Sequence, residues 1–499
     1  MKCYILLVAV LISGCATVSP QQLTPVEIKS VAAQDRTLAS AGVDDVRGPL
    51  RLDEAIARAL KYNLERRTRI MEEALAIRQF DVGAYDMLPR LVAGAGYSQR
   101  SQYLTTSSID SVTGAPSLAH PFISSDREHW TADLGLTWSL LDFGLSYYNA
   151  KQNADRILIA AERRRKALHL LVQDVRTAFW RAASAQKLRD DLRRTIALAD
   201  EALADSRTAE RERIRAPLDS LRYQRQLLEN VRLLESIEQD LGTARVELAH
   251  LVNAPLGREL VVEEADEGLN RRLLDTPVKE MEETAILRNA DLRDQFYSAK
   301  VARDESRKIL LRLFPGLSFN LDLRHDSDRF LVHQNWSDAG AQLSFSLVNL
   351  LSMPAQKKLA EAGVALADQR RMTTQMVVLA QLHVARLQYA SAYQQFLRAD
   401  AIYQVDERMN RIIAAGERAQ SQSKLDRVSS DTTTILSLLR RYQALALVHA
   451  AASKLQATMG LEPEVPSVSS SSLQELTGVA AEFLRQTQGD AAAVAPKAP

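Results

Sequence analysis

The sequence is poor in cysteine, glycine and proline, nearly neutral, and without a long apolar run. Each shortage excludes something. The only cysteines among 499 residues are Cys3 and Cys15. A chain cut before Cys15 therefore has no disulfide framework, and export into an oxidising compartment does not alter its redox chemistry. The 19 glycines and 15 prolines are few for this length and suit a helix-rich chain. A net charge of +1 supplies no global field to gather nucleic acid or an anionic membrane, so no nucleic-acid partner is expected. Beyond the N-terminus no stretch approaches the roughly 18 consecutive apolar residues of a transmembrane helix. Any membrane crossing must be made by strands.

Catalytic signatures are missing as well. The 8 histidines are scattered with no HExxH pair, and no GxxxxGK[ST] loop is present. Gly94 and Gly96 lie in a strand-like stretch and not at a helix start, and no Ser/His/Asp grouping stands out. The chain is expected not to be an enzyme and to need no metal or cofactor. Energy for any transport would come from a partner.

The first residues carry an address. Met1-Lys2, an apolar run from Tyr4 to Ile12, and Ser13-Gly14-Cys15 have the layout of a secretory signal peptide. The ISGC end is similar to a bacterial lipoprotein signal, although Ile12 stands where Leu is more usual. That resemblance implies cleavage before Cys15, a covalent lipid on Cys15 and, because Ala16 is not Asp, an outer-membrane destination in a Gram-negative cell. The alternative is an ordinary signal peptide with an incidental cysteine.

Four short stretches alternate with a period of two: 91–99, 130–140, 317–324 and 339–347. Trp130, Leu134, Leu136 and Trp138 fall on one face, opposite Thr131, Asp133, Gly135 and Thr137; Leu317, Phe319, Leu321, Leu343 and Phe345 continue the apolar pattern. This is the mark of strands with one apolar and one polar face. A soluble sheet with one face on a core is the competing reading.

Nearly everything else reads as helix. Residues 16–48 read as an extended linker, with Pro20 and Pro25 inside it and Pro49 beyond. A helix is expected from Leu52 to about Met87, ended by Leu88-Pro89. Residues 100–129 read as a loop, and Asp142-Phe143-Gly144 as a turn. From Leu145 to Ala216 neither glycine nor proline interrupts a helical apolar spacing, and Pro217 opens a return run with coiled-coil spacing. The plan then repeats: a helix over 278–313 ending at Phe314-Pro315, two strands, a long helix opened by Pro354, and a return helix from Lys424. Asn63 and Pro89 correspond to Asn289 and Pro315 at one offset. Trp138, Glu210, Arg211, Leu218 and Asp219 correspond to Phe345, Glu417, Arg418, Leu425 and Asp426 at an offset about 19 smaller, absorbed by the loop after Arg100. The expected division is a signal peptide 1–14, a lipidated linker 15–49, repeats 50–257 and 258–461, and a mostly disordered tail 462–499 with a short helix near 473–486.

This order resembles the TolC family of outer-membrane efflux channels, from about residue 50 to 460. The residues that carry the resemblance are Leu88-Pro89, Phe314-Pro315, the strand-to-helix segment LTWSLLDFG, Leu218-Asp219 and Leu425-Asp426. It implies a mainly α fold with a small β part: a homotrimer whose duplicated helix-strand-strand-hairpin units form an α-barrel tunnel and one shared transmembrane β-barrel. The apolar strand face would then meet outer-membrane lipid. It further implies an exit duct serving a periplasmic adaptor protein and an inner-membrane pump. A duct for type I protein secretion and a non-channel coiled-coil scaffold are the alternatives. The hairpin tips would contact the adaptor through Arg211, Arg213, Arg215, Gly416, Arg418 and Ser421, although the first tip, AERERIRAP, lacks the family's glycine. Asp426, and behind it Asp431 and Asp219, are candidates for a carboxylate ring narrowing the aperture. The competing role for Asp426 is an acidic first-turn residue stabilised by the helix dipole.

Overall fold

The structure, a computed structural model, describes residues 22–117, 120–212, 217–258, 260–263, 272–419, 421, 423–463 and 471–488. Within the expected linker, Pro25–Ser40 is helical (α1). Thr24 Oγ1 accepts from Glu27 N at 3.3 Å while Glu27 Oε2 accepts from Thr24 N at 2.8 Å, a reciprocal capping box followed by proline at the first helical position. Pro25 thus starts a helix where it seemed to mark extended chain. No residue of α1 is buried.

The helix expected over 52–87 is two: α2 (Leu52–Tyr62) and α3 (Leu64–Tyr85). Asn63 breaks it at ψ 125°, its Oδ1 accepting from Arg66 N at 3.0 Å and its Nδ2 donating to Leu251 O at 3.2 Å. The cap satisfies an orphan donor of the second helix, which offsets the lost helical turn. The strands β1 (Arg90–Gln99), β2 (Thr105–Thr106), β3 (Phe122–Ile123) and β4 (Glu128–Ser139) follow, so a two-residue ribbon sits within the stretch that reads as loop. Asp142-Phe143-Gly144 is no turn. It lies inside α4 (Leu140–Arg211), whose cap Ser139 Oγ accepts from Asp142 N at 3.2 Å.

After α5 (Pro217–Leu251) and the short α6 (Arg272–Asp275) the element order recurs: α7 (Val278–Arg288), α8 (Ala290–Leu311), β5 (Gly316–Asp326), β6 (Asn335–Ser344), α9 (Leu347–Arg418) and α10 (Lys424–Met459). Asn289 divides α7 from α8 as Asn63 does α2 from α3, accepting from Leu292 N and donating to Thr458 O, both at 3.0 Å. Pro354 does not open α9; the helix begins at Leu347 and carries the proline inside. Gly460 ends α10 with φ 72°, the left-handed cap that glycine adopts without strain. Last comes α11 (Leu473–Gln488).

Both α4 and α9 hold 72 residues, about 110 Å of helix at 1.5 Å per residue. Such rods have no single centre, and the apolar core is divided along them. The largest cluster lies where the short helices meet the long ones, joining Ile56 and Leu60 of α2, Phe179 of α4, Leu248 of α5, Met281 of α7, Leu382 of α9, Leu445 of α10 and Phe483 of α11. Leu188, Leu192, Leu234, Ile237, Ile435 and Leu438 form a second, and Ala199, Leu203, Leu227 and Val428 a third. No described helix is long and apolar enough to cross a membrane.

Candidate functional site

The four longer strands make one antiparallel sheet in the order β1-β4-β5-β6. Its register brings the predicted apolar residues together: Leu136 opposite Leu321, Trp138 opposite Phe319, and Leu317 opposite Leu343. Trp138 and Phe319 stack with ring centroids 6.4 Å apart, and Tyr97 of β1 meets Trp130 at 4.8 Å. Phe345 lies one residue past β6. In the single chain this face is uncovered, with Trp130 62% and Leu343 70% exposed.

On the opposite face the register aligns Gly94 with Asp133 and Arg324, and Gly135 with Asp322 and Asp338. Here glycine serves close approach: a Cβ on Gly94 would stand 2.5 Å from Asp133 Oδ1, and one on Gly135 2.5 Å from Asp322 Oδ1. The carboxylates lie flat over gaps left in the neighbouring strand, and Arg324 Nε stands 3.4 Å from Asp338. One sheet thus carries an apolar and a charged surface back to back.

At the far end of the hairpins, the second tip is tied inward. Ser421 N and Oγ both donate to Gly416 O, at 2.9 and 3.0 Å, and Arg418 Nε donates to Ala414 O. Gly416 and Arg418 belong to the last turn of α9. Arg211 closes α4, donating to Arg207 O and Thr208 Oγ1. Arg213, Arg215 and Cys15 lie outside the described residues.

Asp426 is a capping residue. Its Oδ2 accepts from Ser423 Oγ at 2.7 Å and Ser423 N at 3.1 Å, while its own N–H donates to Ser423 Oγ. Asp431 is largely buried against Arg427 Nε at 3.1 Å, and Asp219 is exposed, 3.8 Å from Arg222. These three carboxylates share no partner among the contacts described.

Two groupings escaped the sequence. Lys424, at the start of α10, donates to Asp205 at 2.7 Å and Glu201 at 3.0 Å on α4. These bonds, Asp205 first, raise the ammonium pKa well above the ordinary lysine range. They tie one hairpin to the other near the tips.

Midway up, Arg176 of α4 is buried with Nη2 3.2 Å from His449 Nδ1 and Nη1 donating to Gln456 Oε1 at 3.4 Å, both on α10. Guanidinium only donates, so His449 Nδ1 is the acceptor and the ring is neutral with its proton on Nε2. Burial, then Arg176, hold the imidazole pKa far below its usual value, and burial lowers Arg176 itself to about 10. Trp180 stacks on His449 at 4.9 Å. No local pattern marks these residues; they are separated by 273 positions.

No protein-family model and no curated protein matches the chain by sequence. Solved structures do match in shape. The outer-membrane channel OprN superposes with a TM-score of 0.63 at 15% identity, covering 90% of this chain and 99% of that one. The Campylobacter jejuni CmeC outer membrane channel gives 0.64 at 11% identity over 93% and 94%. The open state of the Neisseria gonorrhoeae MtrE outer membrane channel gives 0.61 at 14% over 84% and 94%. The chain has the fold of these TolC-like outer-membrane channels, which are not enzymes.

Proposed function

We propose that this protein is a trimeric outer-membrane exit duct of a tripartite efflux system. The observation that carries the reading is the isolated four-stranded sheet. Its edges β1 and β6 have no further strand among the described residues, and one face is apolar from the Leu317–Leu343 end up to Trp130 and Leu323, where Glu128, His325 and Ser337 take over. In lipid an open edge leaves backbone groups unsatisfied at several kcal/mol each, so such a sheet closes only with further strands. Three copies supply twelve strands of 10 to 12 residues, close to the 9–11 that cross a bilayer. Trp130, Trp138, Phe319 and Leu343 then face lipid, and Asp133, Asp322, Arg324 and Asp338 line water.

In this reading residues 50–257 and 258–461 are two copies of one unit, and their hairpins line a tunnel through the periplasm. Cys15 carries a lipid, and the tips receive an adaptor protein that links the duct to an inner-membrane pump. Purified protein reconstituted into vesicles loaded with a small anionic and a small cationic dye tests the reading: release of both supports a duct, and retention of both by a trimer overturns it.

A further inference from the structure

Arg66 and Leu292 hold the same place in the two halves of the chain. Each is the third residue after the asparagine that starts its helix, α3 or α8, and each donates its N–H to that asparagine's Oδ1 at 3.0 Å. Both side chains are buried, Leu292 fully and Arg66 with 3% exposed. In the second half the position adds a leucine to the largest apolar cluster. In the first half it buries a guanidinium, which stays charged at neutral pH and is costly to take out of water unless a partner accepts from it. Nη1 donates to Leu60 O, but Nε is buried without an acceptor, and no carboxylate bonds to Arg66 among the described contacts. Arg164, paired with Glu73 at 2.6 Å, adds like charge nearby. Burial, then Arg164, lower the Arg66 pKa to about 10.

Arg66 lines a cavity of about 470 Å³ between α3, α4 and the end of α5, a volume in the range of small-molecule sites. Arg69, Arg163 and Lys166 stand in the same wall. Each of these three has a carboxylate of its own, Glu72 at 3.0 Å, Asp294 at 3.0 Å and Asp291 at 2.8 Å, so they contribute field and leave Arg66 as the cation in need of a partner. The first turn of α3 is also in the lining, where the N–H groups of Leu64 and Glu65 have no carbonyl inside the helix to bond. Leu64 and Leu170 give the wall an apolar part. Two exposed carboxylates, Glu65 and Asp174, line it as well. They hold down the excess positive charge, which favours a singly charged guest over a multiply charged one.

We propose that this cavity binds a small organic anion, one carboxylate or sulfonate on an apolar body, with the anionic oxygens on Arg66 and the body against Leu64 and Leu170. The anion accepts from the guanidinium that nothing else pairs, and it bridges the start of α3 to α4. The site is built within one chain, so it stands or falls apart from the trimer proposed above.

The test is a calorimetric titration of the purified full chain, in a neutral detergent, with naphthoate and with naphthamide as its uncharged counterpart. Saturable binding of naphthoate is expected, with naphthamide weaker by about tenfold or more, the worth of one charge-assisted hydrogen bond. Arg66→Leu installs the residue that the second half carries at this place, so it should fold like the parent and lose the preference for the anion. Naphthoate binding that Arg66→Leu leaves unchanged, or a folded parent that binds no naphthoate saturably, overturns the proposal. If Arg66→Leu does not fold, Leu170→Trp, at a half-exposed wall position, fills the cavity from outside and decides the matter. Loss of naphthoate binding in that variant supports the site, and undiminished binding overturns it.

Discussion

Lys424 Nζ lies 2.7 Å from Asp205 Oδ2, so the first residue of the last long helix holds a carboxylate 219 positions earlier on the first. With Glu201 as second acceptor, one lysine joins the two hairpins near their tips, where the proposed duct has its candidate aperture. The ammonium is raised above its usual pKa, so the tie is complete below the ordinary lysine value near 10.5 and is lost only as pH climbs through the raised one. Exposed pairs are worth roughly 0–1 kcal/mol and are screened by salt. Lys424→Ala should therefore leave folding intact and raise conductance a few-fold at low ionic strength, with the difference shrinking in high salt. Lys424→Arg should behave like the parent.

The cap that Asp426 forms with Ser423 can be separated from the aperture role proposed for it. As a cap it costs about 0.5–2 kcal/mol to remove, and Ser423→Ala should cost a similar amount. As one of three carboxylates around an aperture it should set ion preference, which Ser423→Ala leaves alone. Reversal potentials under a salt gradient distinguish them: Asp426→Asn is expected to reduce cation preference, and an unchanged potential leaves only the cap.

His449 is expected to make the helical body acid-sensitive. Its folded pKa is depressed, so the neutral ring's contribution is present above the unfolded value near 6.5 and is lost as pH falls below it. The slope approaches about 1.4 kcal/mol per pH unit for one group. Thermal unfolding between pH 7.5 and pH 5 (both values on the order of the imidazole range) should show this decline in the parent. His449→Gln, which still offers Arg176 an acceptor, should flatten it.

Asn63 and Asn289 each cap one helix and donate to a carbonyl at the end of another. Replacing either with Ala removes a cap worth about 1 kcal/mol and leaves a buried carbonyl short of a donor, at about 1–3 kcal/mol more. Chemical denaturation of Asn63→Ala and Asn289→Ala should show similar losses, and the double variant their approximate sum, since the sites lie in different halves.

The strands were legible because a period of two on a buried-or-lipid face leaves little freedom: the observed register pairs Trp138 with Phe319 as alternation requires. The breaks at Asn63 and Asn289 were not, because the helical spacing continues through them and only the capping side chain marks the division. Pro25 and Pro354 misled in opposite directions, one starting a helix and the other lying within one. At the tips Asp426 was visible as a carboxylate, but its engagement with Ser423 is geometry. Lys424 with Asp205, and Arg176 with His449, are contacts between distant segments that only packing creates.

The central claim is that the sheet closes with two others into a pore. Planar bilayer recording of the purified trimer tests it most directly. Discrete, long-lived conductance steps, altered by Lys424→Ala at the opposite end of the molecule, are the expected result. A homogeneous trimer that inserts into the bilayer and passes no current would contradict it.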